Sequence, residues 1–186
     1  MDKLFVQNYY NGEYTEIDLD SAWMDQDVID ADSLFQVLIV KISIWALEND
    51  HLLKDIVGYT LDEGSDELEL PQTPGDLTWL MEVSKLVAWR HTPTKHYMPD
   101  GALMARINDI GWKFFDFDSD LQEAEDMYSQ EFDGDYAEYA REYMENCGEG
   151  LSEWAEPYFN YEEYGEDLVD GYDRVEWDNQ EYLFHR

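Results

Sequence analysis

Three scarcities bound this 186-residue chain. It carries one cysteine, Cys147, which excludes an internal disulfide framework and fits a reducing compartment. Its basic residues number eleven against 45 acids, a net charge of −34. A surface of that sign excludes nucleic acid and anionic membrane as partners and calls for a strongly basic one. Long apolar runs are missing too. The longest, Leu34 to Leu47, is broken by Gln36, Lys41 and Ser43 and is shorter than the roughly 20 residues that cross a bilayer. It is therefore expected in a core. The start, Met1-Asp2-Lys3-Leu4, lacks the basic-then-apolar pattern of a leader, so a cytoplasmic location is expected.

Chemical motifs are equally sparse. There is no phosphate loop and no glycine-rich dinucleotide turn. His91 and His96 lie in a proline-containing stretch without a nearby cysteine, a poor zinc pattern. Asp116-x-Asp118-x-Asp120 opens like a calcium loop, but Leu121 stands where glycine is needed and Met127 where the closing glutamate belongs. Cys147 among acids is a poor nucleophile. Carboxylates are so numerous that no pair stands out as acid and base. No catalytic residue, metal or cofactor is expected, and a binding protein rather than an enzyme is.

What is present is aromatic and apolar material, 16% and 44% of the chain. That supports a folded core and separates the chain from disordered acidic tails. The charge is unevenly placed. Residues 1–70 hold 17 acids and three bases, residues 71–115 four acids and five bases, and residues 116–186 24 acids and three bases. The nets are −14, +1 and −21. General salt adaptation would spread acid over every part, and the middle does not comply. These bounds predict an acidic N-terminal α/β module, a near-neutral central helical module and an acidic C-terminal α/β module. The fold class expected is α+β, elongated, with the three small modules in a row.

Local patterns fill in the elements. Leu4–Tyr10 and Glu13–Leu19 flank Asn11-Gly12 as a hairpin. Asp32–Glu48 has helical length, although its Val and Ile content suits a strand as well. Glu67–Leu70 is expected to be a short strand. Thr73-Pro74-Gly75-Asp76 looks like a helix start, with the helix running to Arg90 and apolar on two sides. A second central helix spans Pro99–Gly111. Trp112–Phe117 is predicted as a strand, and Ser119 with Gln122 as a capping box. Tyr136–Cys147 is predicted as a helix stopped by Gly148, with Tyr136, Ala140, Tyr143, Met144 and Cys147 on its apolar stripe. A short helix at Ser152–Tyr158 and a closing hairpin, Arg174–Trp177 with Glu181–Phe184, complete the set.

The acids fall in rows. Glu138, Glu142 and Glu145 recur at four and three residues, so they share one helix face at spacings of about 5–6 Å. That is the scale of successive phosphates on one strand of a duplex. Such rows oppose helix formation by a few tenths of a kcal/mol per pair. One row alone is an ordinary solvated face; repetition points to use. The predicted partner-binding acids are Asp116, Asp118, Asp120, Glu123, Asp126, Glu138, Glu142, Glu145, Glu149, Glu162, Glu163, Glu166 and Asp167, with further acids from Asp18 to Asp32. Tyr139, Trp154, Tyr161 and Tyr164 are aromatics that either add contacts or belong to the core. At one charge per ~1.7 Å of duplex, 34 charges match roughly 58 Å of DNA, against roughly 40 Å for a globule of this size.

The run from Glu131-Phe132-Asp133-Gly134-Asp135-Tyr136 through Glu145 and Gly148 resembles the ArdA family of antirestriction proteins. So do Tyr158-Phe159-Asn160-Tyr161-Glu162-Glu163-Tyr164-Gly165, Gly171-Tyr172, Tyr182-Leu183-Phe184, and, near the start, Leu4–Asn8 and Ala22–Asp25. Ser21, Asn160 and Glu166 depart from the family pattern, the last adding acidity. The resemblance implies a DNA mimic from a phage or other mobile element, acting in a bacterial cytoplasm. It implies a homodimer formed through the C-terminal region, and occupation of the DNA channel of type I restriction–modification enzymes. Two alternatives stay open: inhibition of another defence system, such as an anti-CRISPR role, or an acidic interaction domain that chaperones a basic partner.

Overall fold

Leu4, Val6 and Asn8 are buried while the residues between them are only partly so, the period-two pattern of a half-buried strand. In the computed structural model, which describes residues 3–63, 66–92, 97–148, 150–152 and 154–186, this is strand β1, Lys3–Asn8. It turns through Gly12, whose φ is +73°, into β2, Tyr14–Asp18. A short helix α1, Leu19–Trp23, is capped by the Asp18 carboxylate, which accepts from the Ser21 amide at 2.7 Å. Helix α2 spans Ala31–Glu48. Its cap is Asp30, one turn ahead of the expected start, because Asp30 and Ser33 form a reciprocal capping box. Leu34, Leu38, Ile42 and Ala46, four apart, give α2 its buried stripe, and this burial outweighs the β-branched content.

Strand β3, Ile56–Glu63, inserts between β1 and β4, Asp66–Glu69. The result is a four-stranded antiparallel sheet in the order β2-β1-β3-β4, with a register shift between Phe5 and Val6. The sequence reading found β4 and overlooked β3, whose pairing partner lies some 50 residues away. Helix α3, Trp79–His91, packs on α2 and begins later than the proline pattern suggested. Gly75 takes a left-handed φ of +76°, which breaks the chain before the helix. The Asp76 carboxylate instead accepts from the Thr78 hydroxyl and amide, bonds that hold it below the usual carboxylate range. Trp79, Val83, Leu86 and Val87 are buried with Leu80 and Ser84, so α3 is covered on two sides as expected.

Helix α4, Asp100–Ile110, follows the expectation. The strand expected at Trp112–Phe117 is a correction: these residues form turns. Trp112, Phe115 and Phe117 are buried by packing on one another rather than by a sheet, and aromatic content alone cannot tell the two apart. Helix α5, Asp120–Met127, runs directly into β5, Tyr128–Phe132, a strand the sequence reading missed. The capping residues of α5 are also engaged elsewhere: the Ser119 hydroxyl donates to Asp120, and the Gln122 amide to Asp126.

Helix α6 spans Tyr136–Cys147, from Asp135, which caps the Glu138 amide, to Gly148 in the left-handed region at φ +70°. Its buried residues are Tyr139, Ala140 and Met144. Cys147 is exposed and Tyr143 partly so, which corrects the expected stripe by about one residue around the helix. At Ser152–Tyr158 there is a turn and a 3-10 segment, Glu156–Tyr158, rather than a full helix, with Pro157 inside it. Helix α7, Tyr161–Val169, precedes β6, Tyr172–Trp177, and β7, Gln180–His185. The β6–β7 turn is Asp178-Asn179, both left-handed, the two-residue connection that suits twisted strands. These strands form a second antiparallel sheet, β5-β7-β6.

The class is α+β. The packing divides the chain into two compact units, residues 1–96 with 107–121, and residues 97–106 with 122–186. The near-neutral stretch 71–115 thus contributes 71–96 and 107–115 to the first unit and 97–106 to the second. Among the described residues, no helix is long and apolar enough to cross a membrane.

Candidate acidic docking surface

The second unit assembles its acidic face from a small, rigid core. Phe132, Tyr139, Val169 and Leu183 pack together, with Tyr136, Leu168 and Tyr172 around them. Burial, with a Tyr172 hydrogen bond, raises the acidity constant of the Tyr139 hydroxyl far above its ordinary value, which marks that ring as core rather than contact surface. Helices α6 and α7 lie against each other at Gly165, where a side chain would run into the Tyr136 carbonyl. The bare glycine therefore sets how closely the two acidic helices approach.

On the outward sides stand Glu138, Glu142 and Glu145 of α6, and Glu162, Glu163, Glu166 and Asp167 of α7, all exposed. Each α7 pair four residues apart, Glu162 with Glu166 and Glu163 with Asp167, lies along one helix turn. Glu163 is partly structural: its amide donates to Asn160, and its carboxylate accepts from the Asn160 amide at 3.0 Å. Glu138 is paired with Arg141 at 3.2 Å. Glu142, Glu145, Glu162, Glu166 and Asp167 make no hydrogen bond or ion pair with the described residues, and neither does the exposed Glu123 of α5. Asp126, also exposed, accepts from Gln122. Glu149 lies outside the described residues.

The unit's few cations are turned to structure. Arg141 lies 4.7 Å above the Tyr161 ring, tying α6 to α7. Arg174 bonds Glu181 and the Tyr136 hydroxyl, and its pKa is raised chiefly by the Glu181 bond. Arg186 pairs with Asp173 at 2.9 Å, and Arg106 lies over Phe184. None of the last three reaches an acid of the predicted surface.

Asp116, Asp118 and Asp120 belong to the first unit. There Asp116 accepts from the Asp118 amide and Asp120 from the Asp116 amide, a local turn network. Asp118 pairs with Lys85 at 3.0 Å, and Lys85 also reaches Glu82 at 3.5 Å. Burial pulls the Lys85 pKa down, yet these two carboxylates outweigh it and the net shift is upward. Asp116 and Asp118 line a cleft of about 680 Å³ with Trp79, Trp112 and Lys85.

The acids from Asp18 to Asp32 also divide. Asp18 and Asp30 are helix caps, Asp25 accepts from the Asp27 amide, and Asp20 faces His91 at 3.3 Å. His91 stacks on Trp23, so it serves packing; His96 lies outside the described residues. Of the four aromatics singled out, Tyr139 is buried, Tyr161 and Tyr164 are half-buried and Trp154 is 78% exposed. The sequence reading also missed how much surface aromatic the hairpin carries: Tyr9, Tyr10 and Tyr14 are exposed. Strand alternation would have flagged Tyr14 alone. Among the described residues no group of three or more His, Cys, Asp and Glu side chains is arranged to hold a metal ion.

No protein-family model matches this chain, and no curated protein matches it.

Proposed function

We propose that this protein is a DNA mimic that occupies the DNA-binding channel of a type I restriction–modification enzyme and blocks restriction. The observation that supports this best is the pair of abutting helices, α6 and α7, that hold Glu142, Glu145, Glu162, Glu166 and Asp167 exposed and without partners. Like charges in helical rows cost stability, and here neighbouring cations are directed elsewhere. A cationic groove that binds duplex DNA through phosphate contacts gains the same kind of contact from these carboxylates. The protein acts in the bacterial cytoplasm, needs no cofactor, performs no catalysis, and pairs with a second copy through its C-terminal region.

The deciding experiment is competition for a purified type I methyltransferase complex, with labelled duplex DNA as the probe. The protein is expected to displace the DNA, less effectively as salt rises, since both polyanions depend on the same Lys and Arg side chains. Absence of displacement in dilute salt and at physiological salt alike overturns the proposal. Displacement from another defence complex and not from this one would move the target while keeping the mechanism.

A further inference from the structure

Helix α2 has a second apolar stripe opposite the buried one. Val37, Val40, Ile44 and Leu47 recur at three, four and three residues, the spacing of a helix-pairing seam. Val40, Ile44 and Leu47 are 55%, 50% and 76% exposed, and Leu52 and Leu53, just beyond the helix end, extend the exposed apolar area. Nothing in the first unit's core requires this stripe, because Leu34, Leu38, Ile42 and Ala46 already form the inner face.

The residues beside the stripe identify its occupant. Lys41 and Glu48 flank the same edge, seven residues apart, and both are exposed. Neither makes an ion pair or hydrogen bond with the described residues. For Lys41 this is notable in a chain with 45 acids. We infer that α2 pairs antiparallel with α2 of a second copy of this chain, Ile44 of each packing on Leu47 of the other. In that register the two-fold axis brings Lys41 of each helix alongside Glu48 of the other, so both unpaired charges are matched twice. Sliding the helices one heptad, so that Val40 meets Ile44, would instead place Lys41 against its own symmetry mate. Charge selects the first register. The contact is isologous and therefore closes at two chains. It is separate from the C-terminal pairing proposed above and does not depend on the mimicry reading.

The dependence on salt has the opposite sign to that of enzyme binding. Two chains of −34 repel each other at long range, and the apolar seam is indifferent to screening, so self-association strengthens as salt is added. Sedimentation equilibrium of the full chain across a concentration series, in dilute and in half-molar sodium chloride, reads this directly. Ile44→Glu is expected to weaken self-association by roughly a hundredfold, and Val40→Gln serves as a second, milder variant; circular dichroism verifies that both fold. Glu48→Lys is expected to weaken it as well, although it lowers the repelling net charge, because Lys41 would then face a lysine. The double variant Lys41→Glu with Glu48→Lys, which keeps the net charge, is expected to restore it. A chain that stays monomeric in half-molar salt overturns the inference. So does a dimer indifferent to Ile44→Glu, which would rest on another surface. Loss of enzyme binding in Ile44→Glu without any self-association would assign the stripe to the enzyme and also overturn it.

Discussion

The two units carry similar charge and use it differently. The first, 111 residues, holds 23 acids and seven bases, a net of −16; the second, 75 residues, holds 22 acids and four bases, a net of −18. In the first unit acids are absorbed into the fold. Asp18 and Asp30 cap helices, Asp118 meets Lys85, and Asp120 closes the Asp116 turn. In the second unit the bases are drawn toward the sheet and the helix packing, and a block of carboxylates on α6 and α7 is left facing water. Net charge alone would rank the two as equals. Which acids already have partners is what separates scaffold from docking surface.

The largest effect should come from neutralising the unpartnered block. Changing Glu142, Glu145, Glu162, Glu166 and Asp167 together to the amides is expected to weaken competition with DNA by on the order of a hundredfold. Urea stability should hold or rise by a few tenths of a kcal/mol, because like-charge rows are relieved. Any single change within the block should cost less than about threefold, since long-range charge is shared; complete loss from one substitution would contradict distributed mimicry. A charge-matched set from the first unit, Asp18, Asp30, Asp118 and Asp120 with Asp20, is expected to show the reverse: a clear loss of stability and a smaller effect on competition.

Gly165→Ala tests whether the rigid approach of α6 and α7 matters. Alanine normally favours a helix, but here its methyl group meets the Tyr136 backbone, which cannot give way. A loss of about 2–3 kcal/mol in urea unfolding is expected, while Gly150→Ala, in open space, serves as the control. Alkaline titration distinguishes the units as well. Burial pushes the Tyr128 hydroxyl up to about 12 from an ordinary 10.0 and raises Tyr139 further. A phenol whose folded pKa lies above its unfolded one stabilises the fold below the unfolded value, and that contribution is lost as pH climbs through the folded one. The second unit should therefore loosen above about pH 10, with tyrosinate absorbance from these two rings appearing last. The smallest effect belongs to Asp118→Asn, which leaves Lys85 with Glu82 alone: about 0.5 kcal/mol, as for other exposed pairs, with competition almost unchanged.

Local chemistry was legible wherever one element carried its own signals. Helix α6 could be bounded at both ends, because Tyr136 begins an i, i+4 pattern and Gly148 supplies the left-handed stop. The two hairpins announced themselves through Asn11-Gly12 and Asp178-Asn179-Gln180. Where a longer-range partner decides, the pattern failed. Strand β3 has no turn pair to mark it and gains its identity from β1, far away in sequence. Trp112–Phe117 has the residues of a strand but packs through its own aromatic rings. Strand β5 follows α5 with no break, so helical periodicity ran on through it.

For the candidate surface the same boundary applies. Composition and spacing by themselves determined the sign of the surface, the rows of acids on α6 and α7, the α+β class and the absence of recognisable catalytic motifs. These follow from side-chain charge and helical period, which are properties of short stretches. Only the tertiary structure decided which acids are occupied, that Tyr139 is core, and that a glycine lets two acidic helices abut. It also left a second apolar stripe of α2 open to solvent. Those are questions of neighbours, and a carboxylate's neighbours are chosen by the packing of residues that can lie a hundred positions away.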